Sequence, residues 1–191
     1  MALRAAVVLL GCLAMMARAA EPFGTDLNGH PVERIAPPGA KAVVLFFAAS
    51  DCPISNRYIP EIERLNGEFA RQGVSFWWVY PNPGDTAAVV RQHDVQFNIR
   101  ADSVLDTEQR LTRMAHATIT PEVAVFISSA AGLREVYRGR IDDRYLALGQ
   151  ERPAATKHDL EMAIRAVLDN GPVPKPGGPP VGCSIVPRDA P

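Results

Sequence analysis

The sequence predicts an α/β protein with three layers, in which helices flank a central mixed sheet. Two patterns favour this class: short, continuously apolar segments alternate with segments whose apolar residues recur every three or four positions. The predicted elements follow the order β-α-β-α-α-β-β-α, and the sequence has no internal repeat. With 191 residues, the chain is long enough for one domain with short extensions.

The first half of the domain begins with a buried strand. Residues 42–47 are continuously apolar and lie between Pro/Gly-containing and Ser/Asp-containing segments, as expected of a strand covered on both faces. A helix follows, with apolar residues at helical spacing from Tyr58 to Phe69, and Gly73 is expected to end it. Residues 74–80 form the next apolar run, which predicts a second buried strand.

Two helices and two strands are predicted next. Asp85 is suited to N-cap a helix that continues to about Val95, and a further helix is expected over residues 108–115. Residues 123–127 are again continuously apolar and predict a third buried strand. Residues 133–137 alternate between apolar and polar, as in an edge strand of a hairpin.

The domain is expected to end with one more helix. Residues 156–159 resemble a capping box, with Asp in place of the usual Glu or Gln, and the helix would continue to Leu168 with Gly171 as its C′ residue. Residues 171–191 are rich in Pro and Gly and have no periodicity, so they predict an extended or disordered tail. The folded domain is thus expected to span residues 21–170.

Composition limits the functional classes. The chain has 20 Lys and Arg residues against 21 Asp and Glu residues, a net charge of −1, and 47% of its residues are apolar. This balance, together with the large apolar fraction, excludes a disordered polyelectrolyte and argues against nucleic-acid binding, which normally requires a basic excess. Three cysteines are too few for a disulfide-rich scaffold.

Residues 1–20 have the pattern of a secretory signal peptide. Arg4 precedes an apolar run over residues 5–17, and the small residues Ala17 and Ala19 suit signal peptidase. The run is shorter than the about 20 apolar residues that span a bilayer, so no stable transmembrane segment is expected after signal removal. We therefore expect an exported protein, periplasmic or secreted, in a compartment that permits disulfides.

Two alternatives for residues 1–20 remain open. The residues before Cys12 resemble a lipobox, which would anchor the protein through a lipid on that cysteine. The segment is also compatible with an N-terminal helix buried in the fold. Cleavage after residue 19 or 20 would remove Cys12 and leave Cys52 and Cys183 as the cysteines of the mature chain.

Cys52 is the candidate nucleophile. It follows the first buried strand and precedes the first helix, and sites in α/β sheets gather at the carboxyl ends of strands. Pro53 fits the first helical turn, and the backbone N–H groups of that turn favour a thiolate over a thiol. The neighbouring carboxylate of Asp51 acts in the opposite direction. An inert buried cysteine is the alternative interpretation.

Four segments together resemble one superfamily. Residues 46–60 resemble the active-site region of the thioredoxin superfamily, and most closely the peroxiredoxin-like redoxin branch of exported bacterial proteins, which is related to alkyl hydroperoxide reductase and thiol-specific antioxidant. Thr120-Pro121-Glu122 resembles the cis-proline loop of that superfamily, and residues 137–145 and 181–185 are also similar to the branch. The resemblance covers about residues 22–186. It implies a thioredoxin-like fold in which Pro121 faces Cys52 and shapes the groove that binds a partner sulfur.

The motif departs from the thioredoxin pattern at one position. Thioredoxins have Cys-x-x-Cys, whereas this chain has Cys52-Pro53-Ile54-Ser55. Cys52 therefore has no cysteine partner three residues later. Two roles remain open for Ser55: its hydroxyl could donate a hydrogen bond to the Cys52 thiolate, or it could simply cap the helix.

Cys183 is the candidate resolving cysteine. About a dozen residues separate it from the last predicted helix, and at roughly 3.1 Å per residue such a proline-rich segment can reach roughly 35–40 Å, which is enough to cross the domain. Cys183 could thus resolve a mixed disulfide on Cys52, within the chain or across a dimer. An unpaired or structural tail cysteine is the alternative.

The position of Cys52, together with the resemblance to the redoxin branch, implies thiol–disulfide oxidoreductase activity, with Cys52, Ser55, Pro121 and Cys183 as the expected catalytic residues. The partners would be a protein or small-molecule disulfide and a redox partner that supplies electrons. A thiol-dependent peroxidase with antioxidant activity is the second hypothesis, although Ala49 lies where peroxiredoxins have Thr or Ser and no later Arg stands out. A non-catalytic module that binds a metal or a partner is the third. Neither a cofactor nor a metal site is predicted, because the four histidines have no ligand spacing.

Overall fold

The computed structural model describes residues 21–129 and 132–188. The predicted signal peptide and Cys12 lie outside the described residues. No helix in the described part of the chain is both long and apolar enough to cross a membrane. The strands and helices, in chain order, are β1 (Ala42–Phe47), α1 (Pro53–Phe69), β2 (Val74–Tyr80), α2 (Ala87–Phe97), β3 (Asp102–Leu105), α3 (Arg110–Met114), β4 (Ile119–Thr120), β5 (Glu122–Ser129), β6 (Gly132–Gly139), β7 (Tyr145–Ala147), β8 (Gln150–Glu151), α4 (Asp159–Leu168) and β9 (Cys183–Ser184).

A five-stranded mixed sheet forms the middle layer, in the order β3-β2-β1-β5-β6. Strands β1, β2 and β3 are parallel, whereas β5 and β6 run antiparallel to their neighbours. Every residue of β1 is buried, as its continuous apolar run predicts. The α/β class with a central mixed sheet is thereby confirmed, and β1 and β2 have the predicted bounds.

Alternating side chains of β1 enter the two outer layers. Val44 and Phe46 belong to an apolar cluster that includes residues of α1, α2 and α4. Val43, Leu45 and Phe47 belong to a second cluster on the other face, with residues of α3 and Ile185 of the tail. The sheet therefore separates two cores. Part of the tail completes the second one.

The start of α2 differs from the prediction. Thr86, not Asp85, is the N-cap residue, and its side chain accepts a hydrogen bond from the Val89 amide at 3.4 Å. The Asp85 carboxylate instead accepts hydrogen bonds from Ser50, which is distant in sequence. Strand β3 was not predicted, because its four residues are too few to show a period.

Both ends of α4 also differ from the prediction. The helix begins at Asp159 without a side-chain cap, because the Thr156 hydroxyl donates to Asp143 at 2.6 Å instead of capping the helix. At the other end, Asn170 takes the left-handed conformation that we expected of Gly171. The Gly171 amide donates to the Ala166 carbonyl at 2.8 Å, which completes a Schellman motif one residue earlier than predicted.

The tail residues that the structure describes lie against the domain. The Gly177 amide donates to the Asp159 carboxylate at 2.8 Å, which holds the tail beside the start of α4. Further on, β9 pairs antiparallel with β4, and Ile185 packs into the second core. The tail thus runs back across the domain and brings Cys183 to the carboxyl end of β1.

Candidate active site

Cys52 occupies the N-cap position of α1. Its backbone is extended, with φ −85° and ψ 112°, and Pro53 begins the helix where no N–H donor is needed. The Cys52 amide donates to the Ala49 carbonyl at 3.1 Å, which closes a tight turn between β1 and α1. The residue is only 1% exposed. The chain therefore places this thiol at the positive end of the helix and shields it from solvent.

Cys183 and the loop before Pro121 enclose the Cys52 sulfur. The Sγ atoms of Cys52 and Cys183 are 3.0 Å apart, and the Thr120 carbonyl oxygen lies 3.3 Å from the Cys52 Sγ atom. The peptide bond between Thr120 and Pro121 is cis. Cys183 and the cis Thr120–Pro121 peptide thus lie beside Cys52, and both cysteines are free thiols.

Pairing of β4 with β9 positions Cys183. Thr120 lies opposite Cys183 in this short antiparallel pair, and the Thr120 hydroxyl donates to the Cys183 carbonyl at 3.4 Å. Gly182 is required for this approach, because a Cβ atom at that position would collide with the Thr120 carbonyl. Cys183 itself is exposed, in contrast to Cys52. The two thiols therefore differ in their access to solvent.

The two thiols also differ in acidity. Burial raises the pKa of Cys52, but hydrogen bonds from the Cys183 thiol and from the Ser55 and Ile54 amides outweigh it, so the pKa of Cys52 is lowered. The hydrogen bond to Cys52, burial and the nearby negative charges of Cys52 and Asp51 raise the pKa of Cys183 to about 11. Cys52 is therefore the more acidic thiol of the pair and the first to ionise, and Cys183 stays protonated as its hydrogen-bond donor.

Ser55 lies one turn into α1, buried at 1% exposure. It is not the N-cap residue, since Cys52 takes that position. Its hydroxyl contributes to the lowered pKa of Cys52, although its geometry falls short of a full hydrogen bond. The hydroxyl has no other partner within the described residues, so it is available to donate to the thiolate.

A buried polar network supports the active-site turn and was missed from the sequence. The Ser50 amide and hydroxyl donate to Asp85, and the Asn56 side chain donates to the Ser50 carbonyl at 3.1 Å. The Asn56 side-chain oxygen in turn lies 2.8 Å from the His93 Nε2 atom. Burial lowers the pKa of His93 and raises the pKa of Asp85. These residues come from two turns and two helices that are far apart in the chain, so no local sequence signal indicates the network.

The described residues contain one group of potential metal ligands, and it lies away from the cysteines. Glu61, His158 and Glu161 have their ligand atoms within 4.8 Å of one another. Arg64 and Arg165 already form ion pairs with the two carboxylates on this face of the protein. The arrangement is explained by these surface ion pairs.

The family match covers the active-site turn. The model of the AhpC/TSA family matches residues 17–133, which include Cys52, Ser55 and Pro121. The chain belongs to the AhpC/TSA family. Cys183 lies beyond the matched residues. None of the curated proteins with which the chain was compared matches it.

Solved structures extend the similarity of this AhpC/TSA family member over most of its length. An uncharacterized conserved protein from Geobacillus kaustophilus is 26% identical, with a TM-score of 0.72 over 90% of this chain and 91% of that one. A hypothetical protein from Sinorhizobium meliloti is 23% identical, with a TM-score of 0.70 over 88% and 91%. A thiol-disulfide oxidoreductase from Bacteroides fragilis, at 15% identity, has a TM-score of 0.52 over 63% and 88%. The fold is thioredoxin-like, as the resemblance of the active-site segments implied.

Proposed function

We propose that the chain is a thiol–disulfide oxidoreductase with Cys52 as the attacking thiolate and Cys183 as the resolving thiol. The observation that carries this proposal is the 3.0 Å separation of their sulfur atoms at the N-terminus of α1. This distance is about 1 Å longer than a disulfide bond, so bond formation needs only a small movement. Thr120, which precedes Pro121 across the cis peptide bond, lines the same site with its carbonyl oxygen, 3.3 Å from the Cys52 Sγ atom.

The reaction proceeds by two thiol–disulfide exchanges. The Cys52 thiolate attacks one sulfur of a partner disulfide, which breaks that S–S bond and releases the other sulfur as a thiolate. Cys183 then loses its proton and attacks the Cys52 Sγ atom, which releases the second partner thiol. The partner gains two electrons, and the chain is left with a Cys52–Cys183 disulfide. A second, thiol-bearing redox partner must reduce this disulfide to complete the cycle.

The pKa values of the two thiols fit this order of events. The Cys52 thiolate is the main cause of the raised pKa of Cys183, through its hydrogen bond and its negative charge. In the mixed disulfide, Cys52 has no negative charge, so that cause disappears and the pKa of Cys183 falls towards its ordinary value. Cys183 therefore becomes a better nucleophile at the step in which it attacks.

Three variants test the proposal. Cys52→Ser should abolish reduction of a model protein disulfide in an assay driven by a dithiol reductant. Cys183→Ser, incubated with the same substrate, should accumulate a mixed disulfide between Cys52 and the partner, detected by mass spectrometry. Ser184→Ala, which changes the exposed neighbour of Cys183, serves as the matched control and should behave as wild type. Full activity in Cys52→Ser, or no mixed disulfide in Cys183→Ser, would contradict the assigned roles.

Peroxide reduction is the second candidate function, and membership of the AhpC/TSA family is the observation that favours it. Cys52 would attack one peroxide oxygen to give a sulfenic acid and release water from hydrogen peroxide or an alcohol from an alkyl hydroperoxide. Cys183 would then condense with the sulfenic acid to form a disulfide and one molecule of water. A rate of hydrogen peroxide consumption far above that of a free thiol, together with inactivity towards disulfides, would favour this function over the first.

Export would place these thiols in a compartment that permits a disulfide between them. The pattern of residues 1–20 supports export, with lipid attachment at Cys12 as the alternative. Mass spectrometry of the N-terminus of the native protein tests this proposal. A mature chain that begins at residue 20 or 21 supports signal cleavage, a lipid-modified Cys12 supports the alternative, and an intact Met1 contradicts both.

A further inference from the structure

The tail covers the thiol that must attack. Cys52 is 1% exposed, and Cys183 lies within 3.0 Å of its sulfur atom. In thiol–disulfide exchange, the attacked sulfur of the partner must take the place next to the Cys52 Sγ atom that Cys183 now occupies. A partner disulfide can therefore reach Cys52 only if residues 182–188, which we call the docked segment, leave the domain.

Departure of the docked segment would leave a row of polar groups without partners. The Thr118 carbonyl accepts from the Ile185 amide at 2.9 Å, and Thr120 is paired with Cys183. The Asn82 side chain accepts from the Val186 amide at 3.0 Å. These groups bind the backbone of the docked segment, so a different polypeptide in the same conformation would satisfy them equally well.

Gln109 completes this backbone recognition. Its amide nitrogen donates to the Val186 carbonyl at 2.6 Å, and its oxygen accepts from the Arg188 amide at 3.0 Å. Gln109 is itself buried and has a φ of 51°, a conformation that is uncommon for a residue with a side chain. The Gln109 side chain thus forms hydrogen bonds with a backbone carbonyl and with a backbone amide two residues later in an extended chain.

We propose that β4, Asn82 and Gln109 form a binding site for an extended segment of a partner polypeptide, which the docked segment fills as an internal ligand. This inference rests on the proposed function, because the partner must deliver a cysteine to Cys52. Residues 182–185 of the docked segment define the sequence pattern that we expect in the partner: glycine, cysteine, any residue and an aliphatic residue, in that order. The partner is a protein segment with this pattern rather than a small-molecule disulfide.

Each position of the pattern follows from a contact. Glycine precedes the cysteine because a Cβ atom at position 182 would collide with the Thr120 carbonyl. Ser184 is exposed, so the following position is unrestricted. Ile185 is 6% exposed and packs with the core on the α3 face of the sheet, so the next position requires an aliphatic side chain. Val186 is 54% exposed and contributes only its backbone.

Peptide protection of Cys52 tests this site without any redox step. The full chain with Cys183→Ser and Ile185→Ala has a weakened docked segment but keeps the Cys52 thiol. A peptide with the sequence of residues 180–188, but with serine in place of cysteine, should slow iodoacetamide alkylation of Cys52 by about tenfold or more at saturation, because one buried aliphatic side chain and several hydrogen bonds favour its binding. Thermal unfolding of the variant verifies that the domain is folded.

Two matched peptides make the result specific. One replaces the isoleucine by aspartate and the other replaces the glycine by valine, and both should protect Cys52 far less. Equal protection by all three peptides, or no protection by the unaltered one, would overturn the proposal. Formation of a dimer that protects Cys52 without peptide would also overturn it, because the occupant would then be the tail of a second copy. Protection in this variant, together with no disulfide reductase activity in the wild-type chain, would leave the binding site intact and refute the proposed function alone.

Discussion

Replacing Ile185 by alanine should expose Cys52 to alkylation. The Ile185 side chain is 6% exposed and packs in the second core with residues such as Leu111 and Phe126. The substitution removes three buried carbon atoms, which at about 0.8 kcal/mol each weakens docking by about 2.4 kcal/mol. Since about 1.4 kcal/mol is a factor of ten, the fraction of molecules with an open site should rise about fiftyfold.

The rate of Cys52 alkylation reports this fraction. When the docked segment opens and closes faster than iodoacetamide reacts, the alkylation rate is proportional to the open population. Mass spectrometry of peptides containing Cys52 separates its modification from that of the other cysteines. Val186→Ala is the matched control, because its side chain is 54% exposed and the change should leave the rate within about twofold of wild type.

Equal alkylation rates in the Ile185→Ala and Val186→Ala variants would refute the reasoning, because Ile185 would then not hold the tail in place. A large fall in melting temperature of Ile185→Ala would mean that the whole domain, and not the tail alone, depends on this side chain. Each of these results is distinct from the expected one, which is fast alkylation of Cys52 in a domain that remains folded.

Three further predictions concern charge and titration. Ser55→Ala should raise the pKa of Cys52, measured by the ultraviolet absorbance of the thiolate, because the alanine cannot donate to it. Burial lowers the pKa of His93, so as the pH falls below about 6.5 the unfolded chain takes up a proton at this residue before the folded chain does, and the free energy of unfolding decreases. Because His93→Gln removes this titration, the variant should lose less stability than wild type between about pH 7 and pH 5, measured by urea unfolding. Arg165→Ala should change the free energy of unfolding by less than about 1 kcal/mol, because its ion pairs with Glu68 and Glu161 are half-exposed.

The parts of the fold that depend on local pattern were predictable. The apolar runs that became β1 and β2 have the predicted bounds, because a strand buried on both faces needs no polar residue. Strands β4 and β9 have two residues each, which is too few to show any period. The predicted helix caps were wrong at Asp85 and Thr156, because these side chains form hydrogen bonds with residues distant in sequence. Asp85 accepts from Ser50, and the Thr156 hydroxyl donates to Asp143.

The candidate site shows the same division. The position of Cys52 at the start of a helix follows from the order of strand and helix in the sequence, and the length of the tail indicated that Cys183 was within reach. The network of Asp85, Asn56 and His93 was not predictable, because it joins residues up to 37 positions apart that have no shared motif. Neither was the docking of the tail, since Gln109 and Asn82 hold it through backbone groups that no sequence pattern reveals.

The asymmetry of the two thiols predicts where the reducing partner attacks the oxidised chain. Cys183 is exposed and Cys52 is buried, so an incoming thiolate reaches the Cys183 sulfur first. Attack there also expels Cys52, whose lowered pKa makes it the better leaving group. A dithiol reductant whose second cysteine is replaced should therefore be trapped as a mixed disulfide on Cys183, identified by peptide mass mapping. Trapping on Cys52 would contradict this route. Electrons would thus enter the chain at the exposed Cys183 and leave through the buried Cys52. The reducing partner and the substrate would therefore react with different sulfur atoms of the same cysteine pair.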